Sequence, residues 1–177
     1  MNLANIESHD RQQWIDVAEK ARSTVETRLY IDGEYCDAAA GRRFATINPA
    51  NGETLAEMSE GMPEDIDRAV ASAKAAYRSG CWSRIAPRER MEILYGFADL
   101  IDQHAEELAV LETLDMGKPI GDVVAEDLPA VIETIRFMAE GIDKIDGSVT
   151  NTDNDAMHLV IREPLGVVGC ISPWNYP

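Results

Sequence analysis

The sequence predicts an α/β fold assembled from a small antiparallel β-layer, a helical bundle and the first strand of an incomplete parallel sheet. Three observations lead there. Short β-prone runs near the start are joined by Asp32-Gly33 and by Pro49-Ala50-Asn51-Gly52, both turn-forming sequences. Apolar residues then recur with a period of 3.6 between Pro63 and Ile142, which is the spacing of helix faces. Finally, Leu165-Gly166-Val167-Val168-Gly169-Cys170-Ile171 is apolar with little polar alternation, as in a strand covered on both faces of a parallel sheet.

Residues 10–26 suit a polar, loosely amphipathic helix, either a docking arm or a frayed leader. Arg28-Leu29-Tyr30-Ile31 and Glu34-Tyr35-Cys36 flank Asp32-Gly33, whose tolerance of positive φ suits a tight primed hairpin turn. A second hairpin pairs Phe44-Ala45-Thr46-Ile47 with Thr54-Leu55-Ala56-Glu57-Met58. Pro63 presets a first helical turn, and Glu64 and Asp65 complement its dipole. That helix carries Ile66, Ala69, Val70, Ala73 and Tyr77 on one face and stops at Gly80. A second, from near Pro87, carries Met91, Leu94, Tyr95, Ala98 and Ile101. A third carries Leu108, Leu111 and Leu114 up to Gly117, and a fourth, after Pro119, carries Leu128, Val131, Ile132, Ile135, Met138 and Ile142. All four stripes are expected to face a core. The polar stretch 148–155 leads into a strand, Met157-His158-Leu159-Val160-Ile161, and then into the apolar run 165–171. Parallel neighbours need crossovers of about a dozen residues or more. With six residues after Ile171, the other strands of that sheet are expected outside these 177 residues.

A composition of 45% hydrophobic and 27% charged residues is that of a globular protein. The 32 acidic and 16 basic residues give a formal charge of -16, which repels phosphate backbones and anionic lipid, so neither nucleic acid nor membrane is an expected partner. The same acidity fits a solvated surface or a cationic substrate. Residues 1–26 lack the apolar core of a signal peptide, and no run approaches the roughly 20 apolar residues of a membrane span, so a cytoplasmic location is the default expectation. Cys36, Cys81 and Cys170 are odd in number, far apart and without a His at metal-ligand spacing; they read as free thiols, Cys170 as a buried structural one. His9, His104 and His158 are isolated and read as surface or structural residues.

In open α/β sheets, ligands bind beyond the carboxyl ends of the strands, where Ser172-Pro173-Trp174-Asn175-Tyr176-Pro177 falls. Pro173 and Pro177 stiffen this exit and push the residue before each towards extended geometry. Trp174 offers a flat wall and Asn175 an amide donor, a pair suited to flanking a ring and stabilising a developing oxyanion. The residue types alone fit a buried Trp beside a turn Asn equally well. Two apparent nucleotide motifs fail. Gly117-Lys118 lacks the upstream Gly and following Ser/Thr of a P-loop, and Gly166-x-x-Gly169 lacks the helix of a dinucleotide fingerprint.

The run Glu163-Pro164-Leu165-Gly166-Val167-Val168-Gly169 with Pro173-Trp174-Asn175-Tyr176-Pro177 resembles the first cofactor-domain strand of the NAD(P)-dependent aldehyde dehydrogenase superfamily. Matches in the same order include Asn48-Pro49 with Gly52-Glu53, the helix 69–76, Trp82, Arg88-Glu89-Arg90 and Leu111-Glu112-Thr113-Leu114-Asp115-Met116-Gly117-Lys118-Pro119. The resemblance extends over residues 29–177 and looks closest to the aminoaldehyde and γ-glutamyl-aminobutyraldehyde members.

That resemblance implies oxidation of an aldehyde through a cysteine thiolate, with hydride passing to NAD or NADP and a glutamate-activated water releasing the acid. It implies that Asn175 stabilises the oxyanion and that Ile171, Ser172, Pro173 and Trp174 form a wall for the dinucleotide. It also implies a monovalent cation, K or Na, at Thr46, Ile47 and Asp115, and a substrate entrance at Asp127 and Tyr176, where an anion and an aromatic face attract an ammonium group. Ala130 departs from the second acid that some aminoaldehyde enzymes carry there. The implied layout is an N-terminal arm (1–27), the N-terminal part of the cofactor domain (28–147), the start of an oligomerisation strand region (148–163) and the first strand and loop of a Rossmann-like dinucleotide sheet (164–177). A homo-oligomer, dimer or tetramer, is expected of the full-length enzyme. Since the family's nucleophile and general base lie further along its pattern, the 177 residues alone are expected to be inactive and poorly soluble. The alternative is a non-catalytic remnant that acts by associating with a full-length homologue.

Overall fold

A computed structural model of the chain describes residues 3–176. Pro177, expected to stiffen the terminal loop, lies outside the described residues. The chain opens with one helical turn, α1 (Leu3–Ile6), and a helix, α2 (Arg11–Thr24). Asp10 caps α2 by accepting the Gln13 N–H at 2.9 Å, while the Gln13 side chain accepts the Asp10 N–H at 2.7 Å. The arm is docked, not frayed. Ile6 is fully buried in a cluster with Ala105, Ala109, Val123, Val124 and Leu128. His9 has a structural role: its Nε2 lies 3.0 Å from Oε1 of Glu106.

Two hairpins follow. β1 (Leu29–Ile31) pairs antiparallel with β2 (Glu34–Cys36), and Asp32 and Gly33 both take positive φ, 58° and 81°, in the turn. β3 (Arg43–Ile47) pairs antiparallel with β4 (Thr54–Ser59), with a register shift between Thr46 and Ile47. Their turn is held by buried Asn48, whose carbonyl accepts the Gly52 N–H and whose side chain accepts the Ala50 N–H. The Ser59 N–H donates to the Thr27 carbonyl at 2.8 Å, bringing β4 beside the chain that enters β1.

The four expected helices are α3 (Pro63–Ser79), α4 (Pro87–Gln103), α5 (Ala105–Met116) and a fourth that is interrupted. Gly80 and Gly117 end α3 and α5 in the left-handed conformation. The fourth begins as α6 (Ile120–Asp122), widens into a π-helical turn (Val123–Asp127) and continues as α7 (Leu128–Gly141). Pro129 has no N–H to give the preceding turn, and the Leu128 N–H reaches the Val123 carbonyl instead, five residues back. A 3-10 turn (Ile142–Lys144) ends the helical body.

The helix faces are less covered than the periodicity implies. Ile66 and Tyr77 of α3, Val131 and Met138 of α7 and Leu108 of α5 are exposed. Periodicity marks a face that can be buried; covering it takes a second surface, and α3 packs here mainly against β1. The polar stretch after Gly147 contributes a strand, β5 (Ser148–Thr150), which pairs antiparallel with β6 (His158–Val160).

The run 165–171 corrects the expectation of a strand buried on both faces. It joins no ladder among the described residues, and Leu165 and Ile171 are each 96% exposed. A strand exists only against a hydrogen-bonded neighbour, and among the described residues the three sheets are two-stranded pairs that do not include this run. For the same reason Cys170 is exposed, not buried. Among the described residues, no helix is long and apolar enough to cross a membrane.

Candidate functional site

The C-terminal end of α5 organises two groups of side chains. Gly117 caps the helix, its N–H donating to the Thr113 carbonyl at 3.0 Å, and packs against Pro49 in the β3–β4 turn. This seat brings the end of β3 to the end of α5. The Thr46 hydroxyl accordingly donates to the Asp115 carboxylate in a short hydrogen bond. Ile47 follows Thr46 at the bulge. Two of the three oxygen donors named from the sequence are therefore adjacent across elements far apart in the chain.

One residue past the cap, Lys118 turns into a second corner. Its ammonium forms a close ion pair with Asp127 and lies 3.9 Å from Oε1 of Glu112. It also sits 4.0 Å from the ring centroid of Tyr176. The side chains of Lys118 and Asp127 are only 15% and 10% exposed. The π-helical turn contributes Asp127, and α5 contributes Glu112 one turn before the cap. The hydrogen bond to Asp127 raises the Lys118 pKa above the ordinary lysine value. Burial, and then the neighbouring Asp127, push the Glu112 carboxyl up, against the opposing pull of Lys118.

Asp127 and Tyr176, read from the sequence as an ammonium-attracting pair, do meet here, but around an ammonium the chain itself supplies. The Asp127 carboxylate is the counter-ion of Lys118, so it is not an open anion. Lys118 is given no role from the sequence, where it figures only within the family-matching run 111–119 and in a failed P-loop. A signal did exist. Asp127 sits among Val123, Val124 and Leu128, and a carboxylate in such a setting calls for a cation.

The terminal segment closes with a turn in which the Tyr176 N–H donates to the Pro173 carbonyl at 3.1 Å. Trp174 is 87% exposed and Asn175 stands exposed beside it in the turn. Ile171, Ser172 and Pro173 are exposed and outside any ladder. The alternative of a buried Trp with a turn Asn is thus half met: the Asn is in a turn and the Trp is not buried. Elsewhere, an open groove of about 790 Å³ runs between the β3–β4 hairpin and α4, α5 and α7, lined by Phe44, Met58, Phe97, Leu100, Leu111 and Val131. Thr46 and Asp115 also line it.

The model of the aldehyde dehydrogenase family matches residues 35–177. The NADP/NAD-dependent aldehyde dehydrogenase PuuC of Escherichia coli K12 is 43% identical over 170 residues, covering 96% of this chain and 34% of its own length. An aminoacetaldehyde dehydrogenase of Pseudomonas aeruginosa is 44% identical over 167 residues, 94% of this chain and 33% of the relative. The crystal structure of the aldehyde dehydrogenase KauB from Pseudomonas aeruginosa superposes with a TM-score of 0.92 at 42% identity, over 96% of this chain and 34% of that one. The chain spans about a third of the length of the relatives it matches. A family match over most of the sequence, with a shared fold at this identity, places the chain in the aldehyde dehydrogenase family.

Proposed function

We propose that this chain carries the oxyanion donor and the first cofactor contacts for NAD(P)-dependent oxidation of an aldehyde to a carboxylic acid, an activity of the whole protein of which it spans a third. The observation that carries this reading is a family match running through residue 177, over a segment where Asn175 stands in an exposed turn. Nucleophilic attack on an aldehyde converts the carbonyl oxygen into an oxyanion. An amide N–H aimed at that oxygen strengthens its bond as the charge grows, lowering the barrier. Asn175 is assigned this role.

Ile171, Ser172, Pro173 and Trp174 fit a dinucleotide wall. Backbone groups outside any ladder and an open indole face are the features a flat ligand lies against. NAD or NADP, when bound, accepts the hydride from the substrate carbon. Thr46, Ile47 and Asp115 offer a hydroxyl, a carbonyl and a carboxylate, a donor set suited to a hard monovalent cation such as K or Na. An aminoaldehyde substrate is proposed on kinship with the aminoacetaldehyde dehydrogenase. Tyr176 is assigned to the substrate entrance, and Asp127 acts there through Lys118. The 177 residues alone are expected to be inactive.

The test is a chimera in which this chain replaces the corresponding third of PuuC. It is expected to oxidise aldehydes with NAD or NADP, and Asn175→Ala is expected to lower kcat by about 10²–10³-fold. A folded chimera whose turnover is indifferent to Asn175→Ala would remove the assignment. The reading as a non-catalytic associating remnant is favoured by the open apolar groove. It predicts that the chain binds full-length PuuC, while the folded chimera has no activity.

A further inference from the structure

The run 165–176 belongs to no ladder, so the turn bearing Asn175 depends on side-chain contacts for its place on the helical body. Tyr176, the next residue, makes such a contact, its ring centroid 4.0 Å from the Lys118 ammonium. Consecutive Cα atoms are about 3.8 Å apart across a trans peptide, so fixing Tyr176 leaves Asn175 little room to wander. The ammonium is itself held from behind, ion-paired to Asp127 and 3.9 Å from Glu112.

We propose that Lys118 is a positioning residue: anchored by Asp127 and Glu112, its ammonium seats the Tyr176 ring and thereby fixes the turn that presents Asn175. The arrangement explains why a lysine at the end of α5 is kept where its side chain is 15% exposed. A lysine needed only for solubility would extend into water. It also assigns the π-helical turn a purpose, since that turn carries the carboxylate that holds the lysine. The Tyr176 face is taken by an internal cation, so an incoming ammonium has to compete for it.

The test is NMR on the whole 177-residue chain. Protons on the Lys118 ε-methylene, bonded to the ammonium that lies over the ring, are expected upfield of their random-coil position. That shift is expected to vanish in Tyr176→Leu and persist in Tyr176→Phe, which keeps the ring. Heteronuclear NOE values at the Asn175 backbone and side-chain amides are expected to fall in Tyr176→Leu and Lys118→Met. They should be retained in Lys118→Arg, because a guanidinium both pairs with carboxylates and stacks on rings. Lys118→Met strands Asp127 and Glu112 and risks the fold. Tyr176→Leu, at a residue 57% exposed, leaves the ion pair intact and so decides the matter. Random-coil Lys118 shifts in the unaltered chain, or Asn175 order unchanged in Tyr176→Leu, would overturn the proposal. Its functional consequence rests on the reading of Asn175 as oxyanion donor. The contact is measured without turnover, so a failed clamp and a failed assignment of Asn175 give separate results.

Discussion

The α-carbon of Gly117 faces the ring of Pro49 so closely that an added Cβ would lie 2.9 Å from its Cγ. Gly117 also holds φ at 82°, a conformation an L side chain rarely adopts. Both requirements fall on one residue because the helix must stop and the hairpin turn must dock at the same point. The Thr46–Asp115 bond depends on that docking.

Gly117→Ala is therefore expected to cost about 1–2 kcal/mol from backbone conformation alone, with more from displacing Pro49. Denaturant unfolding measures the loss. A wild-type midpoint would show that the turn gives way freely. Gly121→Ala, where a Cβ meets open space and φ is not positive, is the control and is expected to be neutral or slightly stabilising.

Ile6, fully buried among Ala105, Ala109, Val123, Val124 and Leu128, makes the N-terminal turn part of the core. Ile6→Ala is expected to destabilise by about 2–4 kcal/mol through lost burial and the cavity left behind. A change within about 0.5 kcal/mol, typical of a surface site, would return these residues to the status of a frayed leader.

What was legible in the sequence was what is encoded locally. Asp32-Gly33 supplies two positive φ angles by itself, and Gly80 and Gly117 end helices by the same freedom. Periodicity located the helices but not their coverage: Ile66 and Val131 lie on regular stripes and are exposed, because burial depends on a second surface. The run 165–171 stands unpaired for that reason, since its ladder partners, unlike those of the hairpin strands, are not its neighbours in sequence. At the site, Thr46 with Asp115 and Asp127 with Tyr176 could be grouped from family resemblance, but not the direct Thr46–Asp115 hydrogen bond or the Lys118 ammonium between Asp127 and Tyr176. Lys118 and Asp127 are nine residues apart, a spacing that matches no helical neighbour and arises only through the cap at Gly117 and the π-helical turn.

Asp65 makes the acid limb of the stability curve testable. Its Oδ2 accepts the Met62 N–H and its Oδ1 the Ala39 N–H, each at 3.0 Å, joining the start of α3 to the chain after β2. The Met62 and Ala39 amides, with a smaller share from Arg68, hold its carboxyl below the ordinary aspartate value of 3.8. A depressed native pKa contributes stability that is present above the unfolded value and lost as pH falls through the native one. Asp65→Asn is expected to lower Tm by roughly 3–8 °C at neutral pH. The gap should close as pH drops below 3.8. A gap that keeps its size well below that pH would mean the two amides do not depend on the charge.

Glu112 is expected to act in the opposite sense. Burial and then Asp127 push its pKa above 4.5, while Lys118, 3.9 Å away, pulls the other way without prevailing. The native chain thus keeps a proton that the unfolded chain has already released. The associated stability is fully present below the unfolded value and is lost as pH rises through the native one. Glu112→Gln keeps the shape and cannot ionise, so it should match the unaltered chain near pH 4 and exceed its Tm at about pH 8. Thermal melts of both chains across that range read the divergence directly. An unaltered chain that is the more stable at the higher pH would mean that the attraction to Lys118 outweighs burial, reversing the balance at the corner where Lys118 meets Tyr176.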